Sequence, residues 1–163
     1  MEDEVDRLVG AWRRELPGLD VSPLEVLSRV ARLARHVERV RGEVFARHGL
    51  DEARFDVLAA LRRAGLPYQL SPGQLGVVTM APSGTVTSRV DRLEVAELVQ
   101  RREDPSDGRG RLVRLTPTGR RTVDAALADL VAREQAILHG LSERQRATLA
   151  GLLRRLVAPF DVP

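Results

Sequence analysis

Apolar residues recur along this chain with two different periods, and the switches between them mark its elements. Val5, Leu8, Val9, Trp12 and Leu16 share one face at helical spacing, and Pro17-Gly18 ends that helix. Ser22-Pro23 reads as N-cap and first turn of a second helix, with Glu25 completing a capping box. Its stripe runs Leu27, Val30, Leu33, Ala34, Val37, Val40, Val44 and Phe45, and stops at His48-Gly49. At 1.5 Å per residue this helix is about 40 Å long. Asp51 caps a third helix carrying Phe55, Leu58 and Leu61, closed by Gly65 and Pro67. Ser71-Pro72 opens a short helix with Leu75 and Val78. Thr79-Met80-Ala81 is a tight connection, and Pro82-Ser83 starts another helix through Val86, Val90 and Leu93.

The period then falls to two. Leu98 to Arg102 reads as a short strand, and Arg111-Leu112-Val113-Arg114-Leu115 alternates as a half-buried strand does. Between them, Asp104 to Gly110 is dense in turn formers, which predicts a hairpin with a long loop. Helical spacing returns after Thr116, which caps a helix carrying Val123, Leu127, Leu130, Ile137 and Leu138. Ser142 caps a last helix with Leu149, Leu152, Leu153 and Leu156, ended by Pro159. The expected fold is mainly α with a small β-hairpin, an α+β chain.

Composition narrows the function classes. With 163 residues, 43% hydrophobic and 30% charged, the chain makes one intertwined domain. Its expected parts are 1–48, 49–116 and 117–163. No run of 18 apolar residues occurs and the start is acidic, so neither a membrane span nor a signal peptide is expected. The chain reads as cytoplasmic. Cysteine is absent, and His36, His48 and His139 have no metal-ligand spacing. No Gly-x-Ser-x-Gly, P-loop or dinucleotide fingerprint occurs. No enzyme and no cofactor are expected.

Charge matters by place rather than total. The net charge is +3 under an isoelectric point of about 10.7. All 26 basic residues are Arg, so few groups titrate between neutral pH and the Arg range and the high value overstates the basicity. Residues 108–121 hold Arg109, Arg111, Arg114, Arg120 and Arg121 and no acid. Such a run is either a solvated surface or a phosphate-binding one.

The order of elements decides between them. A short helix, a tight turn, a second helix and a β-hairpin follow one another as in a winged helix-turn-helix. The second helix must enter the major groove, so its first turns must be small and polar. They hold Ser83, Gly84, Thr85, Thr87 and Ser88, then Arg89 and Arg92. Hydroxyls can bond phosphates or base edges, and Arg can grip guanine. Ser71, at the start of the preceding helix, joins this set. The plainer reading is that these Ser and Thr cap ordinary helices. In the hairpin, Arg109 and Arg111 sit beside glycines, a thin loop suited to the narrow minor groove. Asp107 is either a turn residue or a partner that stiffens a nearby Arg.

The stretch Ala81-Pro-Ser-Gly-Thr-Val-Thr-Ser-Arg-Val-Asp-Arg-Leu-Glu94 resembles the recognition helix of the MarR family of transcriptional regulators. Leu98 to Arg109, followed by Leu112-Val-Arg-Leu-Thr-Pro-Thr-Gly119, is similar to that family's wing. The likeness follows element order over 24–158 and is specific from 81 to 119. It implies a homodimer, built on long N- and C-terminal helices, that binds a pseudo-palindromic operator in double-stranded DNA, with Arg109 at the wing tip and Asp107 as its brace. Thr79-Met80 departs from the family, many of whose members have Gly in that turn. The helix before residue 20 looks like that of a urate-responsive branch. In that branch Trp12, Asp56, Arg89 and Arg101 would hold a small anion such as urate, xanthine, citrate or aconitate. Trp12 would stack on it, Asp56 would hydrogen-bond it, and the two Arg would meet its charge. The plainer readings are a core or interface Trp and an Asp paired across the bundle. The rival functions are a winged-helix protein-interaction module and a non-specific architectural DNA-binding protein.

Overall fold

The computed structural model describes residues 2–105 and 107–160, and of residues 107–109 the backbone alone. The chain forms α1 (Glu4–Glu15), α2 (Ser22–Arg47), α3 (Glu52–Arg63), β1 (Gln69–Leu70), α4 (Pro72–Val78) and α5 (Ser83–Val95). β2 (Val99–Asp104), β3 (Asp107–Leu115), α6 (Pro117–Ile137) and α7 (Glu143–Val157) follow, with a 3-10 turn at Ala158–Phe160. The fold is mostly helical with one small antiparallel sheet, as the periodicity predicts. Internal contacts divide it into two units, residues 1–52 and 53–163.

In the first unit, Asp3 caps α1 by accepting the N–H groups of Val5 and Asp6, and Asp6 accepts the Asp3 N–H in return. Val5, Val9 and Val21 form a small buried cluster, with Leu24 of α2 packed against it. Around that cluster, ion pairs knit α1 to α2. Arg29 meets Asp3 at 2.8 Å and Asp6 at 2.7 Å, Arg32 meets Glu4 at 2.5 Å, and Arg13 meets Glu25 at 2.5 Å. The start of α2 differs from the expected capping box. Ser22 is already helical, Val21 is the N-cap and no side chain caps it. Asp20 takes the Ser22 N–H at 3.0 Å instead, because a carboxylate two residues upstream reaches that donor first.

In the second unit, α3 is buried almost all round through Phe55, Val57, Leu58, Ala59, Ala60 and Leu61. The sheet has the order β1-β3-β2. Its third strand, β1, is not visible in the sequence because two residues are too few to display a period. Gln69 pairs with Arg114 and Leu70 with Val113. The hairpin is also tighter than expected: β2 and β3 pair out to Asp104 and Asp107, past an irregularity at Glu103/Asp104. The turn formers Asp104 and Gly108–Gly110 thus belong largely to the strands, because ladder hydrogen bonds outweigh their weak strand propensity.

Register fixes the two faces of this sheet. Val99, Arg101, Val113 and Leu115 share the inner face, while Gln100, Arg102, Leu112 and Arg114 share the outer one. Val99, Val113 and Leu115 are buried, as are Leu75, Val86, Val90 and Leu93 of the helix pair. The Thr116 hydroxyl accepts the Gly119 N–H at 2.9 Å and donates to the Glu97 carbonyl at 2.7 Å, which anchors α6 to the turn before β2. By contrast, α7 has no buried residue.

Candidate nucleic-acid interface

The two short helices are capped differently, and the difference concerns function. Ser71 begins α4 with a capping box: its hydroxyl accepts the Gln74 N–H at 3.2 Å, and the Gln74 side chain accepts the Ser71 N–H at 2.8 Å. Ser71 therefore has a structural task, although its own O–H remains free to donate. α5 has no such arrangement. Its N-cap is Pro82, without a side-chain cap, so the first-turn N–H groups meet no capping oxygen. The plainer reading of Ser83 and Thr85 as caps does not hold for this helix. Ser83, Gly84, Thr85, Thr87, Ser88 and Arg92 are exposed and Arg89 is half-buried, while Val86, Val90 and Leu93 point inward. The Thr87 hydroxyl donates to the Ser83 carbonyl at 3.1 Å. The outward face of α5 is thus polar and small at its start, with a dipole that favours phosphate.

Turn geometry brings α4 and α5 close. The Ala81 N–H reaches the Gly76 carbonyl at 3.0 Å, and a Cβ on Gly76 would lie 3.2 Å from the Ala81 oxygen. Met80 takes a left-handed backbone with φ 48 and is 93% exposed. In the wing, Arg111 pairs with Glu103 at 3.1 Å. The expected wing-tip Arg109 and its brace Asp107 lie on β3, and their side chains fall outside the described residues.

Arg101 is held by two carboxylates. Its guanidinium binds Asp91 and Glu94, both on α5, and its backbone N–H donates to Glu94 at 3.0 Å. These two carboxylates raise its pKa further above its ordinary value, the Asp91 bond being the largest cause. The first wing strand is thereby tied to the helix that would enter the groove.

Comparison with known proteins fits this geometry. The sequence profile of the MarR family matches residues 48–110. The HTH-type transcriptional regulator PecS of Dickeya dadantii is 37% identical over 153 residues, covering 94% of this chain and 92% of PecS. The chain belongs to the MarR family. It is a DNA-binding transcriptional regulator, not an enzyme. Among solved MarR-family structures, Sco5413 of Streptomyces coelicolor is 28% identical with TM-score 0.68, covering 86% of this chain and 97% of that one. Another similar structure concerns regulation of DNA binding of Bordetella bronchiseptica BpsR by 6-hydroxynicotinic acid. BpsR is 30% identical with TM-score 0.59, covering 78% of this chain and 98% of its own.

For this MarR-family chain, the four expected ligand residues divide between the units. Trp12, on α1 of the first unit, is 46% exposed. In the second unit Asp56 is exposed on α3, Arg89 is half-buried on α5, and Arg101 is joined to Asp91 and Glu94. Sequence reasoning missed those two carboxylates. Their i, i+3 spacing was the available signal, since it puts both on one helical face.

Proposed function

We propose that this MarR-family regulator is a homodimeric repressor that grips a pseudo-palindromic operator and is released by a small anion. The observation that carries the DNA reading is α5, whose first turn is uncapped, exposed and polar while its other face is core. In this reading Ser83, Gly84, Thr85, Thr87, Ser88, Arg89 and Arg92 meet the major groove and Ser71 a phosphate. Arg109, braced by Asp107, and Arg111 enter the minor groove. Residues 49–116 then form the DNA-binding lobe, and 1–48 with 117–163 form the dimer contacts.

Dimerisation is supported within each unit. On α7 and the turn after it, Leu152, Leu156, Val157 and Phe160 are exposed, and no residue of α7 is buried. An amphipathic helix is stable when its apolar stripe is covered, and a second copy would cover it. In the first unit Leu8, Trp12, Leu16, Leu27, Val30 and Leu33 are likewise exposed. The 26 residues of α2 give a length of about 40 Å, enough to bridge recognition helices one DNA turn, about 34 Å, apart.

For release, Trp12 would stack on a flat anion, Asp56 would hydrogen-bond it, and Arg89 and Arg101 would hold its charge. Urate, xanthine, citrate and aconitate are the first candidates. An anion that takes Arg101 must compete with Asp91 and Glu94. Both lie on α5, so the exchange would loosen the tie between wing and recognition helix. That gives the anion a higher affinity for the DNA-free state, which is what release requires.

The test is a binding titration with the DNA immediately upstream of the chain's own gene, across a salt series, with and without each anion. The expected result is a log–log salt slope near −0.9 per phosphate contacted, preference over bulk DNA of about 10³ or more, and weakening by one of the anions. A salt slope without site preference would make the protein architectural. The absence of both slope and preference would overturn the operator reading.

A further inference from the structure

Among the described residues, the inner face of the wing sheet neutralises its cations, and the outer face does not. Arg101 has Asp91 and Glu94, and Arg111 has Glu103. On the outer face, Arg102 donates to the Gln100 side chain at 3.3 Å, and Arg114 stands in register with Gln100. Arg120, from the start of α6, lies 5.9 Å from the centre of the Tyr68 ring. Among the described residues none of these three Arg has a carboxylate partner. They line one cleft of about 460 Å³ together with Gln100, Thr116 and Tyr68. Its remaining wall is apolar, made by Leu66, Pro67, Leu115 and Pro117.

A guanidinium keeps its charge at any accessible pH, so three around one cleft repel one another until an anion joins them. The mixed lining says which kind of anion. A duplex phosphate would use the cations alone and leave the apolar wall uncovered. A planar organic anion uses both parts: its ring packs on Leu66 and the prolines beside Tyr68, and its carboxylate takes paired N–H donors from Arg. The volume lies within the range of small-molecule sites.

We propose that this cleft, on the outer face of the wing, binds a planar aromatic carboxylate and is a site separate from the Trp12, Asp56, Arg89 and Arg101 set. Its ligand would bridge β2, β3 and the start of α6, and so hold the wing against the body of its unit.

Tyr68 is the one tyrosine of the chain, which makes the cleft directly observable. The protein carrying 3-fluorotyrosine gives a single fluorine resonance to follow by NMR. 2-Naphthoate is expected to shift it saturably, whereas the neutral 2-naphthamide and inorganic phosphate leave it in place. Arg120→Gln, and the triple variant R102Q/R114Q/R120Q, should weaken the naphthoate affinity about tenfold or more while Arg89→Gln leaves it unchanged. Thermal melting checks that each variant is folded, and the single variant suffices if the triple one is not. No saturable shift, an equal response to the amide, or loss of the response in Arg89→Gln would each overturn the proposal. A response to phosphate as strong as to naphthoate, with DNA affinity falling in the triple variant, would reassign the face to the DNA backbone.

Discussion

Gly119 sits where an added Cβ would lie 1.9 Å from the Leu98 carbonyl oxygen. No rotamer relieves a clash between two backbones, so only glycine lets α6 begin there. Gly119→Ala is expected to cost about 3 kcal/mol and to lower the melting temperature by roughly 6–12 °C in a calorimetric scan. Met80 is the opposite case. Its φ of 48 places a side chain where L residues are strained, at the turn where the chain departs from the family's glycine. Met80→Gly should raise stability by about 0.5–1 kcal/mol in urea unfolding, and Met80→Val should lower it, because the strain relieved exceeds the entropy glycine adds to the unfolded chain. At the DNA, Arg109→Ala should weaken binding to every sequence and reduce the salt slope by about one. Thr87 or Arg92 replaced by Ala should instead relax preference at one base position per half-site. Unchanged affinity in Arg109→Ala would remove that residue from the wing tip. The roles of Gly119 and Met80 could not be read locally. One depends on a carbonyl 21 residues upstream and the other on a backbone angle.

At the scale of elements, α1 is held to α2 by ion pairs as well as by the small apolar cluster of Val5, Val9 and Val21. Hydrogen bonds from Arg29 hold the Asp3 carboxyl down at about 2, below its ordinary 3.8, and the Asp3 N–H, followed by the same Arg, lowers Asp6. A depressed carboxylate contributes stability that is present above its unfolded pKa and lost as pH falls through the folded value. The ion pairs' contribution to the attachment of α1 should therefore be present above pH 4 and lost near pH 2, loosening the helix. Trp12, the one tryptophan and itself on α1, reports this by fluorescence. In Arg29→Gln the transition should move up toward the ordinary carboxylate range; an unmoved midpoint would show that the ion pairs do not hold the helix. The tie from β2 to α5 is the second element-scale device. Arg101→Gln should speed amide exchange in α5 while leaving α6 unchanged.

At the scale of the molecule, apolar surface left uncovered in both units sets the expected assembly. Leu152→Glu with Leu156→Glu should give a monomer in analytical ultracentrifugation. Operator affinity should then fall by about 10² or more, because each half-site is bound without the effective concentration its partner supplies. A dimer that survives the double change would move the interface away from α7.

Much of this protein follows from interactions between residues near one another in the chain. Helical stripes, the caps at Ser71, Thr116 and Ser142, and the helix-turn-helix followed by a hairpin depend on contacts three or four residues apart. A sequence displays those directly. The five Arg of residues 108–121 show the limit. Read along the chain they form one basic run; in the fold, Arg111 meets Glu103 on one face of β3 while Arg114 and Arg120 line a cleft at the other. Which face a strand residue takes is fixed by register, and which carboxylate it meets by another element's position. Arg62 with Asp124 at 2.8 Å, and Gln69 beside Arg114, are decided the same way. Local periodicity determined that the chain would carry a wing; only tertiary pairing decided which of the wing's cations are neutralised and which remain to receive an anion.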